Sequence, residues 1–383
     1  RDPDFASPSA HEYRMIERVE APSDRSIRLT LSEAHAPLLA TLASGWSAIL
    51  PSELIEEGHD FGSEPVGTGP FRFVEWVRDD RIVLERHEDY WMGDLPHLAA
   101  VEFVTITEQA VMAQALAAGE IDVADIVVEP ELSMLRSAPN VAILEEPSSL
   151  VLVLAMNTGR APLNRLRVRQ GINAAIDKQA VLDTAYAGGT VVATFMDAGN
   201  PYYRDFNDIY AYDPERAAAV ADETRFEDEL VITVPQNFDP HVRAAELYHE
   251  MLRQAGFPVR IQLVEWSTWL DDVYRNSQFD LTVIGHTGKL DPHGRLAQFG
   301  TEDTYVQWED PETAAAIEQA RRESDPQVRQ QLYSLALERM ARELPFVYLG
   351  SPSRYIGLDA AITGFHMDNQ LDTADLRRVQ IGP

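Results

Sequence analysis

The sequence predicts an α/β protein built from more than one lobe. Two observations carry this: its 383 residues amount to about two and a half ordinary domains, and short apolar strands alternate with helical stretches along most of its length.

The first third reads as strands joined by short turns. Ser26–Leu31 alternates apolar and polar residues, and Phe71–Trp76 and Arg81–Arg86 flank the polar turn Arg78-Asp79-Asp80, which predicts a β-hairpin. Val101–Ile106 follows as a strand. A helix over Glu108–Ala118, capped by Thr107 and ended by Gly119, then leads to a strand over Ile121–Val128. From Leu150 the run LVLVLAMN opens a region of longer helices, the first passing through Asn173 and Ile176. Strand Leu230–Val234, helix Pro240–Gln254 with its stop at Gly256, strand Val259–Val264, helix Thr268–Arg275 and strand Phe279–Ile284 repeat the crossover unit that parallel strands need. Asp213-Pro214 and Asp325-Pro326 are both N-cap and first-turn proline pairs. The second starts the last long helix, with Val328, Leu332, Leu335, Met340 and Leu344 as its apolar stripe. After Pro345 the segments FVYLG and RYIGL return to strand.

Charge narrows the partners. The 62 acidic residues against 32 basic ones give a net charge of −30, a field that repels phosphate backbones, so nucleic acid and anionic membrane are poor partners. With no cysteine, disulfides, thiolate nucleophiles and Cys-ligated metals are excluded. No run of eighteen apolar residues occurs. The chain begins at Arg1, so its true start, with any export signal, is expected to have been removed by processing, cloning or proteolysis. Only two of the 32 basic residues are lysine, Lys178 and Lys289, which makes a lysine in a loop worth inspecting.

Catalytic signatures are missing. There is no Gly-x-Ser-x-Gly elbow, no His-Glu-x-x-His and no phosphate-cradling Gly-x-x-x-x-Gly-Lys, so an enzyme is not expected. Gly67-Thr68-Gly69 precedes a strand rather than a helix and reads as a tight turn, its glycines supplying permissive backbone angles. The histidines do not fall at ligand spacings; His286 and His293, around Asp291 in a Gly/Pro-containing loop, are the nearest approach to a metal set, and no metal or cofactor is expected.

Residues Pro65–Trp91, PVGTGPFRFVEWVRDDRIVLERHEDYW, combine a Gly-rich turn, the hairpin and a Glu-Arg-x-x-x-Tyr-Trp ending. This resembles the signature of the family 5 solute-binding proteins of ABC importers, the dipeptide, oligopeptide and nickel binding group, which most often has Asn-Pro where His87 and Glu88 stand. Ala118–Ile126, Val168–Val181 (VRQGINAAIDKQAV), Tyr212–Ala217 (YDPERA) and Asp325–Arg342 are similar to further family segments in the family's order. The departure is at the beginning, where members usually carry more chain before the equivalent of Asp4. A companion fragment, a rearranged lobe or a divergent member is expected.

The resemblance implies a two-lobe clamp of the periplasmic-binding-protein kind (type II, cluster C), closing on a solute without catalysis. Its crossovers are expected near Glu145–Ser149 and Pro345–Val347. Lobe one would then comprise 1–148 plus 346–383, and lobe two 149–345. It further implies a periplasmic or extracytoplasmic receptor, anchored through a missing N-terminus, that delivers a short peptide or other small polar solute to a membrane permease. A ligand sensor or regulatory module on the same clamp is the alternative.

Ligand information sits in Phe279–Pro292, FDLTVIGHTGKLDP. Peptide binders of the family usually carry Trp at His286 and, a few residues later, an Asp that pairs with the peptide α-amine; Lys289 occupies approximately that place. An ammonium cannot hold another ammonium. Lys289 therefore either reads a carboxylate or phosphate on the ligand, with His286 and Asp291 as further polar contacts, or pairs with a neighbouring carboxylate. Asp291 could substitute as amine acceptor. Trp266 and Trp269 open the helix after Val264, where one could face the ligand or both could pack in the core. Tyr202, Tyr203 and Phe206 form an aromatic loop of unassigned position.

Overall fold

The computed structural model describes residues 10–125, 128–225, 229–301, 304–368 and 373–382. The chain divides into two compact units, one of residues up to 46 with 147–352, the other of 47–146 with 353–383. It passes between them after Trp46, Glu146 and Pro352. The division therefore departs from the expected lobes at the start of the chain. Ala36 N–H donates to the Arg321 carbonyl (2.8 Å), and Glu33 pairs with Arg321 (3.0 Å) and Arg322 (3.2 Å), tying this segment to the larger unit. The later crossover falls at Pro352 rather than at Pro345–Val347 because FVYLG and RYIGL are one continuous strand.

The N-terminal hairpin of β1 (Ile16–Ser23) and β2 (Ser26–Leu31) is antiparallel. In the smaller unit, β3 (Phe71–Val77), β4 (Arg81–Arg86) and β5 (Ala100–Val104) form an antiparallel sheet whose first turn places Asp79 at φ 60°. The expected hairpin is thus present. Its Gly67 and Gly69 do not adopt left-handed angles, and a Cβ on either would meet nothing within 4 Å. The turn is held instead by His87, whose N–H donates to the Pro70 carbonyl (2.9 Å) and whose Nδ1 meets the Gly69 carbonyl (3.0 Å). The helix Gln109–Ala118 starts from Glu108, not Thr107, with no side-chain cap, and ends at Gly119 with φ 72°. Of the strand expected over Ile121–Val128, β6 covers Val123–Ala124; Ile126 and Val127 lie outside the described residues. β7 (Val141–Pro147) then leads into the larger unit.

That unit is organised on β8 (Val151–Met156), every residue of which is buried. An uninterrupted apolar strand requires cover on both faces, and alternation delivers it. Leu152, Leu154 and Met156 enter one core with the helices Leu166–Ala175, Lys178–Tyr186 and Asp239–Gln254, whereas Val151, Val153 and Ala155 enter a second, aromatic core with Phe195, Phe299 and Tyr333. After β9 (Gly189–Thr190) come β10 (Leu230–Pro235), β11 (Val259–Val264), β12 (Leu281–His286) and β13 (Phe346–Asp359). The sheet order is β11-β10-β12-β8-β13. The crossover units predicted from sequence give the parallel pairs β10/β11 and β10/β12, while β8 runs antiparallel to both β12 and β13.

Two helices differ from their sequence reading. The last long helix, Pro326–Glu343, is capped as predicted, Asp325 accepting from Gln327 N–H (2.8 Å) and Val328 N–H (3.3 Å). Its buried face, however, is Arg329, Tyr333, Ala336, Leu337, Met340 and Ala341, and Leu335 is exposed. Thr268–Arg275 is a short α turn over Trp266–Thr268 followed by a π turn over Trp269–Arg275.

Gly171 lies inside the helix Leu166–Ala175, where glycine is ordinarily unfavourable. Here a Cβ would come within 2.6 Å of Val220 and 2.9 Å of Phe257, so the glycine is what lets this helix approach Pro214–Thr224. Helix propensity alone would make Gly171→Ala stabilising by about 1 kcal/mol. Overpacking, at about 1–3 kcal/mol, is predicted to win, so denaturant unfolding should show a lower midpoint for the variant; a higher midpoint would mean that the contact relaxes freely.

Candidate functional site

The site is built where β12 ends. His286 is the last residue of that strand, paired with Val151, and is not a loop residue as its Gly/Pro-rich surroundings suggested. Its ring is buried among Phe195, Phe299, Phe346 and Tyr305. Burial, with the charge of Arg295 adding to it, holds the imidazole well below its ordinary pKa, so it is neutral. Nδ1 lies 3.1 Å from an Arg295 nitrogen and Nε2 3.0 Å from the Tyr305 hydroxyl.

The chain leaves β12 through Thr287–Pro292 and enters the short helix His293–Leu296. Gly288 is required here, because a Cβ would stand 2.5 Å from the Ser149 side chain. Lys289 is exposed and makes no hydrogen bond or ion pair among the described residues. Asp291 is committed elsewhere. Its carboxylate pairs with Arg329 (2.8 Å), accepts the Tyr333 hydroxyl (3.4 Å) and accepts His293 N–H (2.9 Å). Arg329 also donates to the Tyr202 hydroxyl (3.0 Å). Side chains of the ion pair are 9% and 11% exposed, so the charge of Asp291 is compensated inside the fold.

The aromatic residues separate. Trp269 is buried, donating from Nε1 to the Thr282 hydroxyl (2.9 Å), which donates in turn to the Thr233 carbonyl (2.7 Å). Trp266 stacks on it at 5.1 Å and is 37% exposed. Tyr202, Tyr203 and Phe206 are partly buried against the aromatic core. A separate pocket of about 170 Å³, lined by Thr233, Gln262, Thr268, Asp272 and the Arg160–Asp280 pair (3.2 Å), lies at the other end of β12.

Sequence reasoning missed Arg295 and Arg329. Arg329 had a signal, its i, i+4 spacing to Tyr333 on one helical face; Arg295 had none beyond standing six residues after Lys289. Among the described residues no three His, Asp or Glu side chains come together to hold a metal, and no helix is long and apolar enough to cross a membrane.

Comparison with known proteins identifies the family. The family described as bacterial extracellular solute-binding proteins, family 5 Middle, matches residues 1–306. A glutathione-binding protein of Pectobacterium atrosepticum is 24% identical over 379 residues, covering 93% of this chain and 72% of that protein. A dipeptide-binding protein of Pseudomonas aeruginosa is 26% identical over 369 residues, 91% and 69% of the two chains. Among solved structures, the ABC transporter substrate-binding protein CtaP of Listeria monocytogenes superposes with a TM-score of 0.89 at 19% identity, covering 100% of this chain and 82% of its own. The chain belongs to the family 5 extracellular solute-binding proteins, and its α/β fold is the one those solved structures share.

The Asp291–Arg329 pair yields a test of structure against ligand contact. Asp291→Ala leaves a buried guanidinium unpaired and is predicted to cost about 3–5 kcal/mol. The double variant Asp291→Ala/Arg329→Met should recover much of that loss. Equal unfolding midpoints for the single and double variants would contradict the assignment of this pair to the fold.

Proposed function

We propose that this protein is the solute-capturing receptor of an ABC importer, working outside the cytoplasm on a short peptide or peptide-like small solute that carries an acidic group. Family membership and relatives named for glutathione and dipeptides support the receptor role. The observation that carries the acidic group is the state of the loop after β12. Its one lysine is exposed and unpaired among the described residues, while the carboxylate that could have accepted an amine is already paired with Arg329. A site in that state favours an anionic end of the solute over an ammonium. The receptor does no bond chemistry. It binds, and the permease that receives the solute is its membrane partner.

Titration calorimetry against dipeptides, tripeptides including glutathione, and their C-terminally amidated forms tests this reading. Free acids should bind more tightly than amides, and Lys289→Ala should weaken the tightest free acid at least several-fold. Binding of amides as tight as that of acids, with Lys289→Ala unchanged, would overturn the acidic preference; no binding by any member would overturn the peptide assignment.

A further inference from the structure

Four arginines of the larger unit are buried: Arg169, Arg295, Arg321 and Arg329. Three of them have a carboxylate within reach. Arg169 lies 3.9 Å from Glu343, Arg321 lies 2.6 Å from Glu318 and 3.0 Å from Glu33, and Arg329 lies 2.8 Å from Asp291. Arg295 has none among the described residues. Only 8% of the residue is exposed, and its partners are His286 Nδ1 (3.1 Å) and the Thr287 hydroxyl (3.5 Å). In a chain with 62 carboxylates for 32 basic residues, a buried cation without one is the exception.

The hydrogen-bond directions fix the tautomer of the histidine that holds Arg295. A guanidinium only donates, so His286 Nδ1 must accept, and the ring proton is on Nε2. Nε2–H then donates to the Tyr305 oxygen (3.0 Å). The Tyr305 O–H is left to donate to an acceptor that the described residues do not supply. Guanidinium, imidazole and phenol are thus aligned as donors. Lys289, exposed and unpaired six residues before Arg295, adds a second cation on the same connection. The exposed faces of Trp266 and Tyr274 belong to a ring series that runs through Trp269 to Tyr305 at successive centroid spacings of 5.1, 6.1 and 5.4 Å.

We infer that Arg295, oriented by His286, holds a carboxylate of the captured solute, with Lys289 as the outer cation. The inference rests on the receptor reading above and names the residue that gives it its specificity. A planar carboxylate matches the guanidinium fork and answers its charge. Arg295 is therefore a binding residue and His286 a positioning residue, kept neutral so that it can accept from the guanidinium.

The test reads Arg295 directly and uses formate, the smallest carboxylate, as the probe. The full chain labelled with ¹³C,¹⁵N-arginine is titrated with formate, formamide and inorganic phosphate while the side-chain Nε–H signal of Arg295, assigned by its loss in Arg295→Lys, is followed. Formate should move that signal saturably and formamide should not. Arg295→Lys should weaken formate binding, read by competition calorimetry, about tenfold or more, because an ammonium cannot form the bidentate pair. His286→Gln keeps the arginine and serves if the first variant does not fold; it should weaken formate and alter the Arg295 signal in the free protein. An Arg295 signal unmoved by formate, or moved by phosphate alone, overturns the inference. Formate binding at Arg295 with no peptide or conjugate bound would leave this site standing and sink the peptide-receptor reading. Peptide binding with Arg295 silent would do the reverse.

Discussion

The larger unit depends on the double pairing of β8. Val151–Met156 is hydrogen-bonded on one side to β12 and on the other to β13, and because it is apolar on both faces two cores form on opposite sides of it. The pairing of His286 with Val151 fixes where β12 ends. That in turn fixes where Thr287–Pro292 emerges, with Gly288 against Ser149 and the histidine ring driven into the aromatic core. The chemistry of the loop is set by this register more than by the loop's own sequence.

Charge placement gives the second constraint. An arginine buried in a protein interior needs its positive charge answered, and Glu343, Glu318 with Glu33, and Asp291 answer three of the four. The loop after β12 and the short helix that follows it thereby hold a compensated carboxylate and two cations, Lys289 and Arg295, that have none among the described residues. On the proposed reading, the anion that answers Arg295 is the solute's own, and local donors at the site must outweigh the net negative field of the chain.

Much of the fold was legible because local patterns and tertiary demands agree. The hairpin of β3 and β4, the parallel crossovers of β10, β11 and β12, and the Asp-Pro helix starts were all readable from spacing and turn chemistry. Where packing overrode pattern, the reading slipped. The face of Pro326–Glu343 that is buried contains an arginine and two alanines, so hydropathy pointed to Leu335, which is exposed. The turn before β3 looked like glycine chemistry and is instead fixed by His87. Of the site residues named from sequence, His286, Lys289 and Asp291 do fall at one place in the larger unit, but with unequal partners. Trp269 is a core residue by its hydrogen bond to Thr282. Arg295 was invisible because nothing in a sequence says which buried cation lacks a carboxylate.

Native mass spectrometry of the gently purified protein is the most direct measure of the central claim, that the cations after β12 hold an anionic solute. The account predicts a species heavier than the 42.9 kDa chain by a small carboxylic acid, released on denaturation and missing from the Lys289→Ala/Arg295→Lys variant. An adduct retained equally by that variant, or one that proves to carry no acidic group, would contradict it.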